Sequence, residues 1–558
     1  MRKVLLTAAT TVVATFGLAA TVPQSAGAGG ATSEFAVLYA SGVSPSAAHA
    51  AIERAGGTIV RENAAVGLAT VRTNRTDFAS AVSRESALYG AARNAPIGYA
   101  PDDAATARAT VEQEGRAPGQ GPRARSGGQS GTDPLAAQQW DMDMIHAPAA
   151  HAVQAGDHRV LVGVIDTGID GSHPDIAPNF DRADSRNFTT DVPVIDGACA
   201  DDPDGSCSDP ADVDEDGHGT HVAGTIASPI NGLGIAGVAP NVTLVNIRAG
   251  QDSGYFFLQP TVDALTYAGD LGVDVVNMSF YIDPWLYNCP NGTSADSAEA
   301  TAEQRTIIAA TQRALGYAYD HGVTLVGAAG NEHTDLGHPT SDATSPDFPP
   351  DAAYPRTVDN TCLDLPTEGE HVLSITSVGP TGLKADYSNY GLEQASVAAP
   401  GGFFRDYLGT ARNRQVSNEI LAPYPYGVGR AGGTIDANGN PTTTGVVKDC
   451  SGGTCSYYQW IQGTSMAAPH VSGVVALIVS QFGHKDGKNK GGLTMKPAHV
   501  EEVLFGSATP HACPDPAAFS YVPYGRSWTN TCEGTTEFNG FYGHGIVDAL
   551  GAVTYDRG

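Results

Sequence analysis

Continuous apolar runs alternate with helix-length segments over most of the chain, and this alternation is the strongest constraint on the fold. The runs lie at 160–165, 242–247, 273–278, 323–328 and 372–378. Strands without polar alternation are typical of a parallel sheet that is covered on both faces. Helices are predicted at 219–228, 261–271, 299–320, 465–482 and 497–505. Residues 133–558 are therefore predicted to form a three-layer α/β domain with a doubly wound, mostly parallel sheet.

A smaller unit precedes this domain, at residues 29–99. Its strand candidates are 35–39, 58–60 and 67–71, and its helix candidates are 45–55 and 77–88. This order of elements resembles a ferredoxin-like α+β unit. Residues 100–132 have no sustained apolar face and are predicted to be a linker. Because Arg116, Arg123 and Arg125 lie in it, we expect the linker to be exposed and to contain a processing site.

The first 28 residues have the pattern of a secretory signal peptide. Arg2 and Lys3 precede an apolar run at 4–20, and small residues follow at 26–28. The alternative is a membrane anchor, which the shortness of the run and its Thr and Gly residues disfavour. The product is expected to be secreted and extracellular. A net charge of −29 argues against nucleic acid and anionic membranes as partners.

The chain has eight cysteines, which in an exported protein suggest disulfides. Sequence alone leaves 105 pairings open. Closeness in sequence favours Cys199–Cys207, Cys450–Cys455 and Cys513–Cys532, which leaves Cys289 with Cys362. None of the cysteines has the C-x-x-C spacing of a zinc or redox site.

A candidate nucleophile lies at Ser465, directly after the turn residues Gly463 and Thr464. Small and apolar residues follow it, with enough length for a buried helix. Ser465 would then lie at a helix N-terminus, where free N–H groups favour an anion. Pro469 fits this helix if it lies in or near the first turn. The alternative interpretation is that Ser465 is only a helix cap.

Two upstream blocks complete a known arrangement. Asp166 ends a predicted buried strand, and His218 would begin a helix. Together with the Ser465 block, the stretches 164–170 and 216–224 resemble the subtilisin-like serine proteases, in the chain order Asp, His, Ser. The resemblance implies that Ser465 attacks the peptide carbonyl, that His218 transfers its proton, and that Asp166 orients His218.

A fourth block, 327–331, also resembles this family. It implies that Asn331 donates its side-chain amide to the oxyanion, together with the Ser465 N–H. His218 and His221 have the spacing of a metal pair, but the helix lacks the Glu of the H-E-x-x-H motif. We therefore expect no catalytic metal.

Substrate binding is expected to occur by backbone pairing with an edge segment. The block 277–279 resembles the family's segment for this role. At Tyr281 the chain departs from the family, which usually has glycine there, so Tyr281 either fills part of the specificity cleft or swings away from it. The insertion 401–458 is expected to shape the substrate rim. The resemblance implies that five residues contact substrate: Ser279, Phe280, Tyr281, Ala329 and Gly330.

The loop 229–235 has the family's usual length for a structural calcium site. The ligands that the resemblance implies are Asp175, Pro229, Asn231, Leu233 and Ile235. Their oxygen atoms suit Ca²⁺. Gln138 and Gln139 compete for one further ligand position. The acidic insertion 196–216 is expected to be a solvated loop, with additional calcium as the alternative.

Taken together, the sequence predicts a secreted serine endopeptidase that acts through an acyl-enzyme. It would be made as a zymogen inhibited by its own propeptide, and a monomer is the default. Peptides or proteins are the expected substrates. One alternative is a catalytically silent secreted scaffold of the same fold that binds calcium or a peptide. The other is an exopeptidase.

Overall fold

A computed structural model describes residues 32–93, 111–118, 133–193, 195–200, 205–348, 352–487 and 489–556. The predicted signal peptide, 1–28, lies outside the described residues, as do Arg123 and Arg125. Of the predicted linker, 100–132, only residues 111–118 are described.

Residues 32–93 form a four-stranded antiparallel sheet with two helices, in the order β-α-β-β-α-β. Along the sheet, the strands lie in the order 58–63, 68–73, 33–39 and 88–93. The prediction that the second helix reaches residue 88 is wrong, because Leu88 begins a strand that pairs with the first strand of the unit. The elements are β1 Ser33–Tyr39, α1 Pro45–Ala55, β2 Thr58–Asn63, β3 Leu68–Thr73, α2 Phe78–Val82 and β4 Leu88–Arg93.

A seven-stranded sheet forms the centre of the larger domain, and each neighbouring pair of its strands is parallel. The strand order is β11-β10-β9-β8-β5-β7-β6. The five apolar runs are all in this sheet, which confirms the predicted α/β class; β6 and β11 were not predicted. The strands are β5 Leu161–Ile165, β6 Arg186–Asn187, β7 Thr243–Arg248, β8 Val275–Met278, β9 Thr324–Ala328, β10 Val372–Val378 and β11 Ala395–Pro400.

Helices cover both faces of this sheet. The five predicted helices occur close to their predicted bounds. They are α5 (218–227), α6 (258–271), α7 (298–320), α9 (464–482) and α10 (497–507). One core cluster joins α5, α9 and α10 to one face, and a second joins α6 and α7 to the other. The helices are α3 Trp140–Met144, α4 Ala147–His151, α5 His218–Ala227, α6 Leu258–Leu271, α7 Ala298–Asp320, α8 Tyr426–Ala431, α9 Thr464–Phe482, α10 Pro497–Ser507 and α11 Ala549–Val553.

Helix α9 is also the one helix of the described residues that is long and apolar enough to cross a bilayer. Its apolar window is 83% buried inside the protein. The burial agrees with a core helix, since α9 contributes an unbroken run of buried residues from its first residue to Val479.

The larger domain also contains smaller sheets. The insertion 401–458 contributes two strands to a three-stranded antiparallel sheet, whose third strand ends shortly before Ser465. The four disulfides have the pairing that the sequence favoured. The remaining strands are β12 Ile420–Pro423, β13 Val446–Asp449, β14 Ser456–Ile461, β15 His484–Lys485, β16 Leu493–Thr494, β17 Ala518–Ser520 and β18 Thr529–Thr531.

The N-terminal unit packs on helices α6 and α7. Its Leu38 and Leu68 belong to the same core cluster as these helices. Buried Asn63 donates hydrogen bonds to Asp263 (2.8 Å) and to the hydroxyl of Thr266 (2.7 Å). The contact is therefore both apolar and polar, and it lies on the face of the sheet opposite to α9.

Candidate active site

Asp166 and His218 are brought together by β5 and α5. Asp166 follows the last residue of β5 and is fully buried, and His218 is the first residue of α5. The Nδ1 atom of His218 lies 2.7 Å from Oδ1 of Asp166. The same oxygen accepts a hydrogen bond from the Thr167 N–H, at 2.8 Å. Because an ionised carboxylate only accepts, His218 carries a proton on Nδ1 and directs Nε2 toward the cleft.

The charge state of His218 is set by the acids around it. Burial alone would lower the pKa of the imidazole, but the carboxylates of Asp166, Glu112 and Asp216 outweigh burial and raise the pKa to about 10. A neighbouring opposite charge favours the charged form of a histidine. The surrounding carboxylates therefore favour the protonated imidazole.

Ser465 is the second residue of α9 and is nearly buried. Its hydroxyl donates to the carbonyl of Ser279 at 3.3 Å. Pro469 is the sixth residue of α9, so the expectation that it lies in or near the first turn is wrong. Because proline has no N–H, it cannot bond the Ser465 carbonyl four residues back. The hydroxyl of Ser279 donates to that carbonyl instead, at 3.1 Å, which ties the helix start to the segment after β8.

Asn331 lies beside the start of α9. Its side-chain oxygen accepts hydrogen bonds from the N–H and the hydroxyl of Thr464, both at 3.0 Å. This fixes the amide so that Nδ2 faces the cleft as a donor. A Cβ placed on Gly463 would lie 3.5 Å from this Nδ2 atom. Asn331 can thus donate to an anion that forms near Ser465.

The short segment 111–118 lies across this site, which the sequence did not predict. Oε1 of Glu112 is 3.7 Å from Nε2 of His218. It also lies 3.5 Å from the position of a Cβ on Gly463, next to the Asn331 amide. The backbone of Gln462 donates to the Glu112 carbonyl at 3.1 Å. Glu112 therefore occupies the space between the candidate base and the candidate oxyanion donor.

Arg116, predicted to be exposed, is partly buried in the structure. When the amide of Gln459 is oriented with its oxygen toward Arg116, that oxygen accepts from both terminal nitrogens of the guanidinium, at 2.6 and 3.0 Å. Amide orientation is assigned from such partners. Composition predicted an exposed linker, but its residues 111–118 are docked on the rest of the protein.

The five predicted substrate residues have different environments. Phe280 is buried, and its ring stacks on Phe256 with ring centroids 4.0 Å apart, which leaves its backbone as the part that could pair with substrate. The hydroxyl of Tyr281 donates to Asp347 at 2.7 Å, and its ring packs beside a separate apolar cluster. The hydroxyl of Tyr281 is thus held by Asp347.

Ala329 and Gly330, the other predicted wall of the cleft, are closely packed. Ala329 is fully buried, and its N–H donates to Ile375. The N–H of Gly330 donates to Thr464 Oγ1 at 3.0 Å. Gly330 has a φ of +97°, and a Cβ there would lie 2.4 Å from the Asn389 side chain. Glycine is thus required for both backbone conformation and space.

The predicted calcium loop closes on itself through hydrogen bonds. Asn231 donates to Asp175 Oδ1 at 3.0 Å, and its own oxygen accepts from the Leu233 N–H at 2.8 Å. The Ile235 N–H donates to Asp175 Oδ2 at 3.0 Å. Pro229 begins the loop and is buried. The predicted ligand residues therefore do lie together.

Gln139, one of the two glutamines that compete for the further ligand position, is bonded to the backbone next to the loop. Gln139 bonds both backbone groups of Ala236, through its amide nitrogen at 2.8 Å and its oxygen at 3.1 Å. Asp133 reaches the loop instead and accepts from the Gly232 N–H at 2.7 Å. Its Oδ2 atom is buried without a hydrogen-bond partner. An orphaned carboxylate oxygen next to Asp175 fits a cation, since a buried charge needs a partner.

Burial raises the pKa of Asp175 to about 8 and that of Asp133 to about 6. A cation between such groups would favour their ionised forms. The donor set of carboxylates, an amide and backbone carbonyls is the chemistry that Ca²⁺ prefers.

One carboxylate of the acidic insertion, that of Asp209, is buried in a cluster with an arginine and two acids from outside the insertion. Fully buried Arg248 pairs with Asp209, with Asp252 at 2.9 Å and with Asp191 at 3.2 Å. The three carboxylates are close enough to hold a metal ion. Because Arg248 already supplies positive charge at their centre, they do not require one.

Comparison with known proteins places this geometry in a family. The model of the subtilase family, peptidase family S8, matches residues 157–545. Subtilisin DY of Bacillus licheniformis is 29% identical over 336 residues, which are 60% of this chain and 82% of subtilisin DY. Fervidolysin of Fervidobacterium pennivorans is 29% identical over 66% of this chain, but the match spans only 40% of fervidolysin.

A solved structure shows the same fold. The epidermin leader peptide processing serine protease of Staphylococcus aureus superposes with a TM-score of 0.61 at 20% identity, and the match covers 94% of this chain and 99% of that one. The family model covers well over half of the chain, from before β5 to beyond Ser465. The chain therefore belongs to the subtilase family.

Proposed function

We propose that this protein is an exported serine endopeptidase that is made as an inactive precursor. The observation that carries the proposal is the 2.7 Å hydrogen bond between buried Asp166 and Nδ1 of His218. A histidine oriented in this way on the cleft side of a buried carboxylate is the arrangement that activates a serine. The proposed serine, Ser465, is the second residue of α9.

In the first half of the reaction, Ser465 Oγ attacks the carbonyl carbon of the peptide bond and His218 Nε2 takes its proton. Asp166 holds the imidazole in the required tautomer and stabilises its cation. Negative charge that develops on the carbonyl oxygen is met by Asn331 Nδ2 and by the N–H of Ser465, which lies in the first turn of α9 and has no intrahelical partner.

His218 then gives the proton to the leaving amine, whose departure leaves the acyl-enzyme. In the second half, His218 activates a water molecule, which hydrolyses the acyl-enzyme. The attack of Ser465 in the first half requires a neutral His218. In the precursor, Asp166, Glu112 and Asp216 together outweigh burial and raise the pKa of His218 to about 10, and release of Glu112 removes one of these three acids.

The unit within residues 29–99 and the linker 100–132 are proposed to act as propeptide. Two observations support this role: the unit packs on α6 and α7, and Glu112 lies 3.7 Å from His218 Nε2. Activation then requires release of the segment 111–118 from the cleft. The positive residues Arg2 and Lys3 and the apolar run after them support export.

Calcium is proposed as a structural ion. The side chains of Asp133, Asp175 and Asn231, with carbonyls of the loop 229–235, would hold it. A bound ion supplies positive charge that keeps the two buried carboxylates ionised.

An exopeptidase and a silent scaffold are separated from this proposal by one experiment. Purified mature protein is incubated with matched peptides whose ends are free or blocked by acetyl and amide groups. An endopeptidase cleaves both sets, an exopeptidase cleaves only the free set, and a scaffold cleaves neither. The Ser465→Ala variant, prepared in the same way, is expected to cleave neither set.

A further inference from the structure

A second charged contact holds the segment 111–118, beyond Glu112. Nε of Arg405 lies 2.7 Å from Oε1 of Glu114, and Nη2 of Arg526 lies 2.9 Å from Oε2. Nη2 of Arg405 also contacts Oε1. Each carboxylate oxygen thus faces its own guanidinium. Hydrogen bonds between charged groups in this geometry are stronger and more directional than neutral ones.

The two arginines also face one acid of the catalytic domain. The Nε atoms of Arg526 and Arg405 approach Oδ2 of Asp386, the latter at 3.9 Å. The Asp386 side chain is fully buried, whereas those of Arg405 and Arg526 are 15% and 19% exposed. With Glu114 present, two positive charges meet two negative ones. Without Glu114, one positive charge is left over in a largely buried place.

The direction of the segment 111–118 shows where the arginine pair lies relative to the catalytic residues. Glu112 reaches the catalytic groups, and the residues after it run toward the insertion 401–458, where Ala117 O accepts from the Thr444 N–H at 3.0 Å. If a substrate peptide runs in the same direction as the segment 111–118, the residues after its cut bond lie beside Arg405 and Arg526. Its acyl half would lie on the other side of Ser465.

From these contacts we infer that Arg405 and Arg526 form a subsite that binds an acidic side chain of the substrate, on the C-terminal side of the cut bond. The inference rests on the proposed function. In the precursor Glu114 fills the subsite, and after its release a Glu or Asp of the substrate replaces it. Arg405 and Arg526 are thus specificity-determining residues, and neither touches the reacting atoms.

The first test uses the mature wild-type enzyme. Peptides share one N-terminal half and one cut bond, and carry either Glu or Gln at each of five successive positions after it. We expect one position at which Glu raises kcat/KM about tenfold over Gln, and we expect added salt to reduce this ratio. A ratio near one at all five positions overturns the inference.

The second test uses Arg405→Gln and Arg526→Gln as single variants, because either leaves one arginine to balance Asp386. Each is expected to reduce the Glu-to-Gln ratio of kcat/KM to near one. The matched control is Arg305→Gln on the exposed face of α7, which should keep the ratio. A preserved ratio in both test variants contradicts the inference. If a variant does not fold, the peptide series on the wild type still decides.

A chromogenic substrate separates this inference from the function itself. An acylated peptide with a p-nitroanilide leaving group has no side chain that could reach the arginine pair. Hydrolysis of this substrate with a flat Glu-to-Gln series rejects the subsite and leaves the peptidase proposal intact. No hydrolysis of any substrate by processed enzyme rejects both.

Discussion

The carboxylate of Glu112 lies 3.7 Å from Nε2 of His218, the ring nitrogen that would take the proton of Ser465. One residue of the propeptide region thus acts on the candidate base in two ways. It occupies the space of the reacting groups, and it favours the protonated imidazole, which cannot act as a base. In the proposed precursor, Glu112 would oppose activity by charge as well as by steric exclusion.

Replacing Glu112 should lower the pKa of His218. In an uncut Ser465→Ala precursor, Glu112→Gln removes one of the acids that raise this pKa to about 10. NMR titration of the His218 ring should detect a pKa lower than in the parent. The control is Glu114→Gln, which removes a carboxylate paired with Arg405 and Arg526 instead. An equal pKa in the Glu112→Gln protein and its parent would show that the contact has no electrostatic role.

The same contact predicts that the segment 111–118 binds less tightly in alkali. Asp166 and Asp216 raise the pKa of His218 whether or not the segment is docked, and docking adds the share of Glu112. The stabilisation from Glu112 is therefore present while the imidazole is protonated and is lost as pH rises through about 10. Self-processing of the wild-type precursor should therefore start faster at pH 9 than at pH 7. In Glu112→Gln this pH dependence should be weaker. Equal slopes in the two proteins would contradict the prediction.

Asn331→Leu should reduce turnover and leave folding intact. The variant removes the amide that faces the cleft but keeps a side chain of similar size. We expect a fall in kcat of about 10²–10³, with little change in KM; the size is that known for subtilisin, a member of this family, and is not obtained from the geometry here. The matched control is Asn438→Leu in the exposed hairpin turn of the insertion, which should keep full turnover. A normal kcat for Asn331→Leu would exclude it from the reaction.

Calcium removal should destabilise the protein more at pH 8 than at pH 5. Burial raises the pKa of Asp133 to about 6 and that of Asp175 to about 8, so stability without the ion is lost as pH rises through these values. Bound calcium opposes that loss. Thermal unfolding with calcium and with chelator should give the larger difference in Tm at pH 8.

Asp133→Asn provides the matched variant for calcium. It keeps an oxygen for the Gly232 N–H but removes the charge, so the calcium-dependent gain in Tm should shrink strongly. The control is Glu502→Gln, an exposed carboxylate on α10. If Asp133→Asn kept the full calcium-dependent gain in Tm, the ion would bind elsewhere or the calcium proposal would be wrong.

The polar contact of the N-terminal unit should matter for docking. Asn63→Ala removes two buried hydrogen bonds, to Asp263 and Thr266. In the Ser465→Ala precursor we expect about tenfold faster hydrogen exchange in β2 and β3, since a bond to a charged group is among the stronger ones. Arg72→Gln, which breaks an exposed ion pair with Glu34 inside the unit, is the control. Equal exchange in both variants would mean that apolar packing alone holds the unit.

The sequence was informative where local pattern and buried apolar residues determine structure. The runs that became β5, β7, β8, β9 and β10 are continuous, and the ends of such strands locate Asp166 and the 327–331 block. Strand β11 was missed because Ala395–Pro400 is built of small residues followed by glycine, and β6 because it has only two residues.

Contacts between distant residues left no such pattern. Glu112 and Glu114 lie in a polar stretch whose composition favours a linker, and their partners are about a hundred to four hundred residues away. Asp133 has no neighbouring ligand residue to mark it. Phe280 follows a strand whose register alone does not determine whether its ring faces the cleft or Phe256.

The most direct test of the account is covalent labelling of Ser465. Purified, processed protein is treated with a phosphonylating serine reagent, digested, and analysed by mass spectrometry, with Ser465→Ala as the control. We predict one adduct, on Ser465, in the wild type and none in the variant, together with loss of peptide cleavage in proportion to labelling. A folded, processed protein that cleaves peptides while Ser465 stays unlabelled, or that carries no adduct at all, would contradict the proposed mechanism.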